Sequence, residues 1–218
     1  MKKLLNGIVE FRKNTQPEYR EKFAKLALGQ SPDTLFVACS DSRVVPNVFA
    51  STDPGDLFVV RNVGNLIPLC GEGGHSTADE SEAAALEFAL LKLDVSHIVI
   101  CGHSECGAMH AIHHGREKVG PPNLRSWLRH GDSRKKVDLI NSLGLDPVNF
   151  RSQTNVLEQL EHLKSYPFLA ERIAQNRTKV HGWWFELKTA NVYAYEEAEK
   201  RFILIDEEEA QRIRERLS

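Results

Sequence analysis

The segment Cys39-Ser-Asp-Ser-Arg43 places a thiol, a carboxylate and a guanidinium close together in the chain. It follows the apolar run 35–38, which predicts a buried strand of a parallel sheet. Cys39, Asp41 and Arg43 are spaced by two, so an extended backbone would point all three side chains to the same side. Because ligands bind beyond the carboxyl ends of strands in open α/β sheets, these three residues form a candidate site.

A second reactive pair, His103 and Cys106, follows the apolar run 97–101 on a turn that has glycine on both sides. With Cys39, this pair provides two thiols and one imidazole from two strand ends, and all three are ligand types that zinc prefers. Three protein ligands leave a fourth coordination position open, which is typical of a catalytic zinc and not of a structural one. The two motifs therefore predict a zinc site.

Other cysteines, histidines and glycines favour ordinary structural roles. Cys101 lies inside an apolar run and is interpreted as a small buried hydrophobe, as is the loop residue Cys70. The run 102–107 mimics a phosphate-binding loop, but the lysine that such a loop needs is absent, so nucleotide binding is not expected. The other histidines lack a paired thiol and are interpreted as surface or capped residues, including His75, His110, His113 and His114.

Strand and helix patterns alternate around the two motifs, which indicates right-handed crossovers and an α/β fold with a mainly parallel sheet and flanking helices. The predicted strands are 35–38, 57–62, 97–101, 179–186, 191–195 and 202–205, the last two forming an antiparallel edge. Two helices are predicted in an N-terminal arm (1–29), and a third is opened by a capping box at Thr77–Glu80 and ends near residue 93. Further helices are predicted at 109–114, over 121–176 as a broken helical run, and at the C-terminus (206–218).

Composition indicates a single soluble globular domain over residues 1–218. The chain has 27% charged and 41% hydrophobic residues and a formal net charge of -2, so neither nucleic acid nor an anionic membrane is an expected partner. The sequence has no signal-peptide pattern and no membrane-spanning apolar run, which predicts a cytoplasmic protein. In that reducing compartment the four cysteines are not expected to form disulfides.

Taken together, the two motifs resemble the double signature of the β-class carbonic anhydrases. Cys39-Ser-Asp-Ser-Arg43 followed later by His103-x-x-Cys106 is an order highly specific to that family. Further likeness lies in residues 54–62, 98–108 and 181–182, and the whole covers roughly residues 28 to 205. The resemblance implies a mainly parallel α/β sheet surrounded by helices, assembled as an intimate homodimer and often as a dimer of dimers.

The resemblance also implies a role for each residue of the motifs. Cys39, His103 and Cys106 would bind Zn²⁺ as the cofactor. Asp41 would accept a hydrogen bond from the zinc-bound water or hydroxide, and Arg43 would hold Asp41 away from the metal through a bidentate pair. The implied reaction is the reversible hydration of carbon dioxide to bicarbonate and a proton by a zinc-bound hydroxide.

Five further residues stand at substrate-pocket positions of the plant-like branch of that family, and four of them match its pattern. By resemblance, Gln30 would orient substrate from the partner subunit, Phe58 and Val63 would form an apolar wall, and the Gly107 amide would donate on the anion side. Phe88 stands where that branch carries tyrosine, so a hydroxyl contact is missing here.

The branch itself is indicated by the residues just before the first cysteine ligand. The other branch carries tryptophan and glycine there and forms an inhibitory bicarbonate site, whereas this chain has Phe36 and Ala38. The sequence therefore resembles the uninhibited, plant-like branch, and within it the bacterial members encoded with cyanate-degrading enzymes.

Two other functions remain open on the sequence. A related hydrolase acting on CS2 or COS resembles the same fold and metal site, and only turnover with each substrate would separate it. A noncatalytic, zinc-stabilised binding module is the other alternative. Asp41 and Arg43 weigh against that module, because a structural zinc needs neither of them.

Overall fold

The core of the fold is a six-stranded mixed sheet, seen in a computed structural model that describes residues 1–78, 80–132 and 144–217. Its order is β2-β1-β3-β4-β5-β6, with parallel pairing from β2 through β4 and antiparallel pairing from β4 to β6. The strands are β1 (Thr34–Cys39), β2 (Leu57–Asn62), β3 (His97–His103), β4 (Lys179–Glu186), β5 (Asn191–Glu196) and β6 (Arg201–Leu204). The predicted fold class, including its antiparallel edge, is confirmed.

Helices flank this sheet and form the N-terminal arm. They are α1 (Lys2–Glu10), α2 (Gln16–Leu26), α3 (Pro46–Phe49), α4 (Ser81–Glu87), α5 (Gly107–His113), α6 (Pro122–Trp127), α7 (Pro147–Lys164), α8 (Pro167–Ala174) and α9 (Glu207–Leu217). A π-helical turn, Phe11–Thr15, joins α1 to α2, so the arm is one continuous helical segment. The part of the predicted helical run at 133–143 lies outside the described residues.

The capping box predicted at Thr77–Glu80 is wrong. Helix α4 begins at Ser81, and its N-cap residue, Glu80, makes no side-chain capping hydrogen bond. Thr77 instead closes the preceding loop, since both its backbone N–H and its hydroxyl donate to the Leu69 carbonyl at 2.9 Å. The predicted end near residue 93 is confirmed, because a π-helical turn extends α4 through Lys92.

Burial on both faces explains the unbroken apolar pattern of β1 and β3. Leu35 and Val37 pack on one side with residues of β3, α4 and α7, while Phe36 and Ala38 pack on the other side with residues of β3 and β4. Cys101 is fully buried, and that burial raises its pKa, as expected for a structural thiol. Among the described residues, no helix combines the length and the apolar character needed to cross a bilayer.

Candidate metal centre

Two neighbouring strand ends bring three potential metal ligands together. Cys39 is the last residue of β1, His103 is the last residue of β3, and Cys106 immediately precedes α5. Strands β1 and β3 are adjacent and parallel, so their carboxyl ends share one edge of the sheet. One ligand atom from each of the three buried residues lies within 4.8 Å of the other two. His103 completes the strand and does not lie on the turn, because β3 is two residues longer than predicted.

The imidazole of His103 is oriented as a metal ligand requires. Its Nδ1 lies 2.8 Å from the Ser104 carbonyl oxygen. A carbonyl can only accept, so Nδ1 carries the proton and Nε2 presents its lone pair. This Nε2 is buried, and it has no hydrogen-bond partner within the described part of the chain. Leaving a buried acceptor unsatisfied is unfavourable, and a metal ion at that position would satisfy it.

The two thiols also have the character of a metal pair. The hydrogen bond from Cys106 lowers the pKa of Cys39 to about 4, and the same contact raises the pKa of Cys106. Two sulfurs so close together share one proton, since two bare thiolates would repel each other. A dication in place of that proton would let both sulfurs bind as thiolates. Two thiolates and one imidazole are a donor set that fits zinc.

Both carboxylate oxygens of Asp41 are occupied by Arg43 beside this cluster. Arg43 Nε donates to Oδ1 at 2.9 Å, and Nη2 donates to Oδ2 at 2.7 Å. The Arg43 guanidinium is the largest cause that holds the pKa of Asp41 well below its usual range. Oδ2 lies 4.0 Å from His103 Nε2. An ionised carboxylate therefore sits next to the ligand atoms while it is held by a cation.

The extended backbone predicted through Asp41 and Arg43 is wrong. Strand β1 ends at Cys39, and the chain then turns, with Val44 N–H donating to the Asp41 carbonyl at 3.0 Å. Within that turn, the Arg43 backbone N–H donates to Asp41 Oδ1 at 3.0 Å. Asp41 therefore favours a side-chain-stabilised turn over a continued strand, and the turn folds Arg43 back onto the carboxylate.

Two of the five predicted substrate residues lie beside the ligand cluster. Val63 has an exposed side chain and precedes Gly64. The Gly64 N–H donates to Cys39 Sγ at 3.3 Å. Gly107 follows Cys106 and begins α5. These two positions border the ligand atoms within one chain.

The other three predicted substrate residues lie away from the cluster in the same chain. Phe58 pairs with Leu35, four positions before Cys39 and therefore about 13 Å away along the strand. Phe88 stacks on Phe58, with ring centroids 5.8 Å apart. Gln30 precedes β1 at the opposite edge of the sheet from the ligands. The structure of one chain does not bring these side chains to the ligand atoms.

Arg61 is a site residue that the sequence analysis missed. Its guanidinium donates to the Cys39 carbonyl through Nε and Nη2, at 3.1 and 2.9 Å, and Nη2 also reaches the Asp41 carbonyl at 2.7 Å. Arg61 thus fixes the backbone on both sides of the β1 terminus. The available signal was a basic residue at the penultimate position of the neighbouring strand β2.

A buried polar face of α7 was also missed. Four residues of this helix bind backbone groups of the two segments that surround the ligands. Asn149 accepts from Glu105 N–H at 2.9 Å, Ser152 donates to the His103 carbonyl at 2.7 Å, Asn155 donates to the Gly64 carbonyl at 3.1 Å, and Gln159 accepts from Ile67 N–H at 2.7 Å. Their spacing of three or four residues was the available signal, because it places them on one helix face.

Comparison with known proteins matches the chain to one family. A carbonic anhydrase family model matches residues 34–192. The carbonic anhydrase of Synechococcus elongatus is 38% identical over 196 residues, covering 88% of this chain and 70% of that protein. The carbonic anhydrase of Pseudomonas aeruginosa is 33% identical over 209 residues, covering 95% and 93%.

Solved structures agree with the sequence relatives. The β-carbonic anhydrase CcaA superposes with a TM-score of 0.82 at 35% identity, covering 94% of this chain and 98% of that one. One of two tetrameric β-carbonic anhydrases from Sordaria macrospora superposes with a TM-score of 0.71 at 29% identity, covering 88% and 94%.

Proposed function

The chain belongs to the β-class carbonic anhydrase family, and from this membership we propose that it catalyses the reversible hydration of carbon dioxide to bicarbonate and a proton. One observation carries the proposal: three ligand atoms lie within 4.8 Å of one another beside a carboxylate that an arginine restrains. A zinc-stabilised binding module would need the ligands but not the restrained carboxylate.

Cys39, His103 and Cys106 would hold the zinc ion, and their three donors leave one coordination position open. Zinc bound there would supply a Lewis acid that makes water nucleophilic near neutral pH. The protein has to hold the metal-donor atoms of these three side chains in place. Ser104 sets the tautomer of His103, and the Gly64 amide holds the Cys39 sulfur.

Asp41 would orient the attacking water by accepting a hydrogen bond from it at a carboxylate oxygen. Because Arg43 lowers the pKa of Asp41, the carboxylate is ionised near neutral pH and its oxygens can accept. Arg43 would keep the carboxylate out of the open coordination position, because it engages both oxygens at once. Arg43 Nη2 also donates to the Glu105 carbonyl at 3.2 Å, which ties this restraint to the loop between His103 and Cys106.

We propose that the substrate pocket is completed by a second copy of the chain. Val63 and Gly107 border the metal cluster, whereas Gln30, Phe58 and Phe88 lie at a distance from it within one chain and would be contributed by the partner. Carbon dioxide is small and has no net dipole, so an apolar wall with one or two donors suits it.

Exposed apolar surface on the N-terminal arm supports this assembly. The exposed side chains include Leu4, Leu5, Ile8, Val9 and Phe11. An apolar patch of this kind marks an interaction site. A homodimer or a dimer of dimers would cover it, and the similar Sordaria macrospora proteins are tetramers. Light scattering at several protein concentrations tests the assembly, and a monomer that remains fully active would contradict it.

We assign the chain to the plant-like branch, which lacks the separate inhibitory bicarbonate site of the other branch. Phe36 is 1% exposed and contacts Phe49 and Trp183, and Ala38 is fully buried. Apolar contacts therefore occupy the two positions where the other branch builds its bicarbonate site. A cytosolic location is proposed with it, supported by four cysteines that are all free thiols.

Zinc content and carbon dioxide hydration, measured on the same samples, test the proposed function. We expect one zinc per chain in the parent, and loss of both zinc and activity in Cys39→Ser, His103→Ala and Cys106→Ser. Cys70→Ser is the matched control, because this thiol lies outside the ligand group and should change neither quantity. Full zinc in all three ligand variants would contradict the ligand assignment, and faster turnover of COS or CS2 than of CO2 would contradict the substrate.

A further inference from the structure

The peptide unit that joins Val63 to Gly64 is hydrogen-bonded at both of its ends. Its N–H donates to Cys39 Sγ at 3.3 Å, and its carbonyl accepts from Trp127 Nε1 at 2.7 Å. Both groups belong to one rigid amide plane, so a partner that fixes the carbonyl also fixes the direction of the N–H. We propose that Trp127 is a positioning residue for the metal ligand Cys39, acting through this peptide.

The backbone at Gly64 needs such an external partner. Its φ is +86°, and a Cβ placed there would lie 3.0 Å from the Ala108 Cβ. Glycine satisfies that constraint, but it also has more backbone freedom than any other residue. Two side-chain donors remove this freedom from opposite sides of Gly64: Trp127 at the carbonyl before it and Asn155 at its own carbonyl.

Trp127 is itself held firmly enough to act as an anchor. It is the last residue of α6, it is half-buried, and its ring packs edge-on against His130 with centroids 5.4 Å apart. It also packs on the apolar cluster that contains Cys39 and Cys106. The indole ring therefore shares its packing environment with both sulfur ligands.

Hydrogen bonds in series strengthen one another, because each polarises the next. Donation from the indole to the carbonyl makes the amide N–H at the other end of the peptide a stronger donor to sulfur. Groups that orient a metal ligand in this way typically change metal affinity by 10- to 100-fold when they are removed. An effect near the lower limit is expected here, since the peptide itself remains.

The test removes the ring N–H from position 127 and measures metal affinity and the metal spectrum, not the rate of the reaction. In Trp127→Phe, the dissociation constant for zinc, obtained by chelator competition, should rise about tenfold. In the cobalt-substituted protein, the sulfur-to-cobalt charge-transfer band should move to longer wavelength. The reason is that Cys39 Sγ holds its electrons less tightly when the hydrogen bond from the Gly64 N–H is weaker. Trp183→Phe makes the same change at a tryptophan that packs against Phe36, and it should leave both readouts unchanged.

A second variant separates the hydrogen bond from the packing of the ring. Benzothienylalanine at position 127 keeps the bicyclic shape but replaces the N–H with sulfur, and it should reproduce both effects of Trp127→Phe. Zinc affinity and a cobalt band equal to the parent's in this variant would overturn the proposal and leave Trp127 a packing residue. The proposal rests on the zinc site of the proposed function. A parent that binds zinc but does not hydrate carbon dioxide would refute that function, while the metal measurements would still decide the role of Trp127.

Discussion

Removing the Arg43 side chain is the most informative perturbation of the site. The restraint that Arg43 places on Asp41 consists of two charge-assisted hydrogen bonds, at 2.9 and 2.7 Å. Such bonds contribute about 1.5–3 kcal/mol each when they are buried. The Arg43 side chain is 53% exposed, so solvent screening reduces the pair to about 2 kcal/mol.

A restraint of about 2 kcal/mol corresponds to a shift of about 30-fold in an equilibrium. Without it, the carboxylate that now lies 4.0 Å from His103 Nε2 can occupy the open position at the metal. Arg43→Ala should therefore keep its zinc and lose about 30-fold in kcat/KM for carbon dioxide. Stopped-flow hydration with a pH indicator measures the rate, and elemental analysis of the same sample measures the zinc.

The double variant distinguishes a restraint from a simple loss of charge. Asp41→Ala should keep zinc and leave the coordination position open, losing only the orientation of the water. Once Asp41 is absent, Arg43 has nothing to restrain, so removing both residues should cost less than the sum of the two single losses. The double variant should be at least as active as Arg43→Ala.

Arg177→Ala is the matched control for this experiment. Arg177 pairs with Asp94 at 3.1 Å, and its side chain is also 53% exposed, but the pair lies outside the ligand group. It should alter neither zinc content nor turnover. Nearly full activity in Arg43→Ala, or strict additivity in the double variant, would refute the restraining role.

Three further predictions follow from the described geometry. Burial lowers the pKa of His181 to about 4, below the unfolded value of about 6.5, so the unfolded chain binds more protons between these values and stability falls as the pH drops through them. Between pH 7 and pH 5, the free energy of unfolding measured with urea should fall by about 2 kcal/mol more in the parent than in His181→Asn. Equal decreases in the two proteins would contradict the low pKa of His181. Because Phe36 and Ala38 fill the branch-determining positions, bicarbonate should act only as product or competitor in steady-state rates, and sigmoidal inhibition would reverse the branch. Gly64→Ala, which forces a Cβ to 3.0 Å from Ala108 Cβ at a φ of +86°, should reduce the free energy of unfolding by about 1–3 kcal/mol, and an unshifted denaturation midpoint would contradict this.

The sheet could be predicted from the sequence because its central strands are buried on both faces. The continuous apolar runs placed β1 and β3 within two residues, and the predicted bounds of β2 and β4 are correct. The reactive residues stand out for the same reason, since a thiol or an imidazole at the end of such a run interrupts the apolar pattern. The extended backbone predicted at Asp41 is wrong because a carboxylate that accepts from the backbone N–H of Arg43, two residues later, ends a strand and does not continue it.

The residues that hold the site together could not be predicted in the same way. Polar residues at helical spacing ordinarily mark a solvent-exposed face, and Ser152, Asn155 and Gln159 follow that pattern although all three are buried.

The reason lies in the loops opposite this face of α7. Residues 63–67 and 104–106 leave the regular sheet next to the three ligands. Backbone groups in these segments and at the strand end His103 therefore cannot all be paired within the sheet, and buried backbone groups must be satisfied. Helix α7 supplies the missing donors and acceptors at His103, Gly64 and Ile67. Irregular backbone at a metal site therefore requires polar side chains on the element packed behind it. The sequence shows the ligands, whereas this requirement becomes visible only when the fold places that element against the loops.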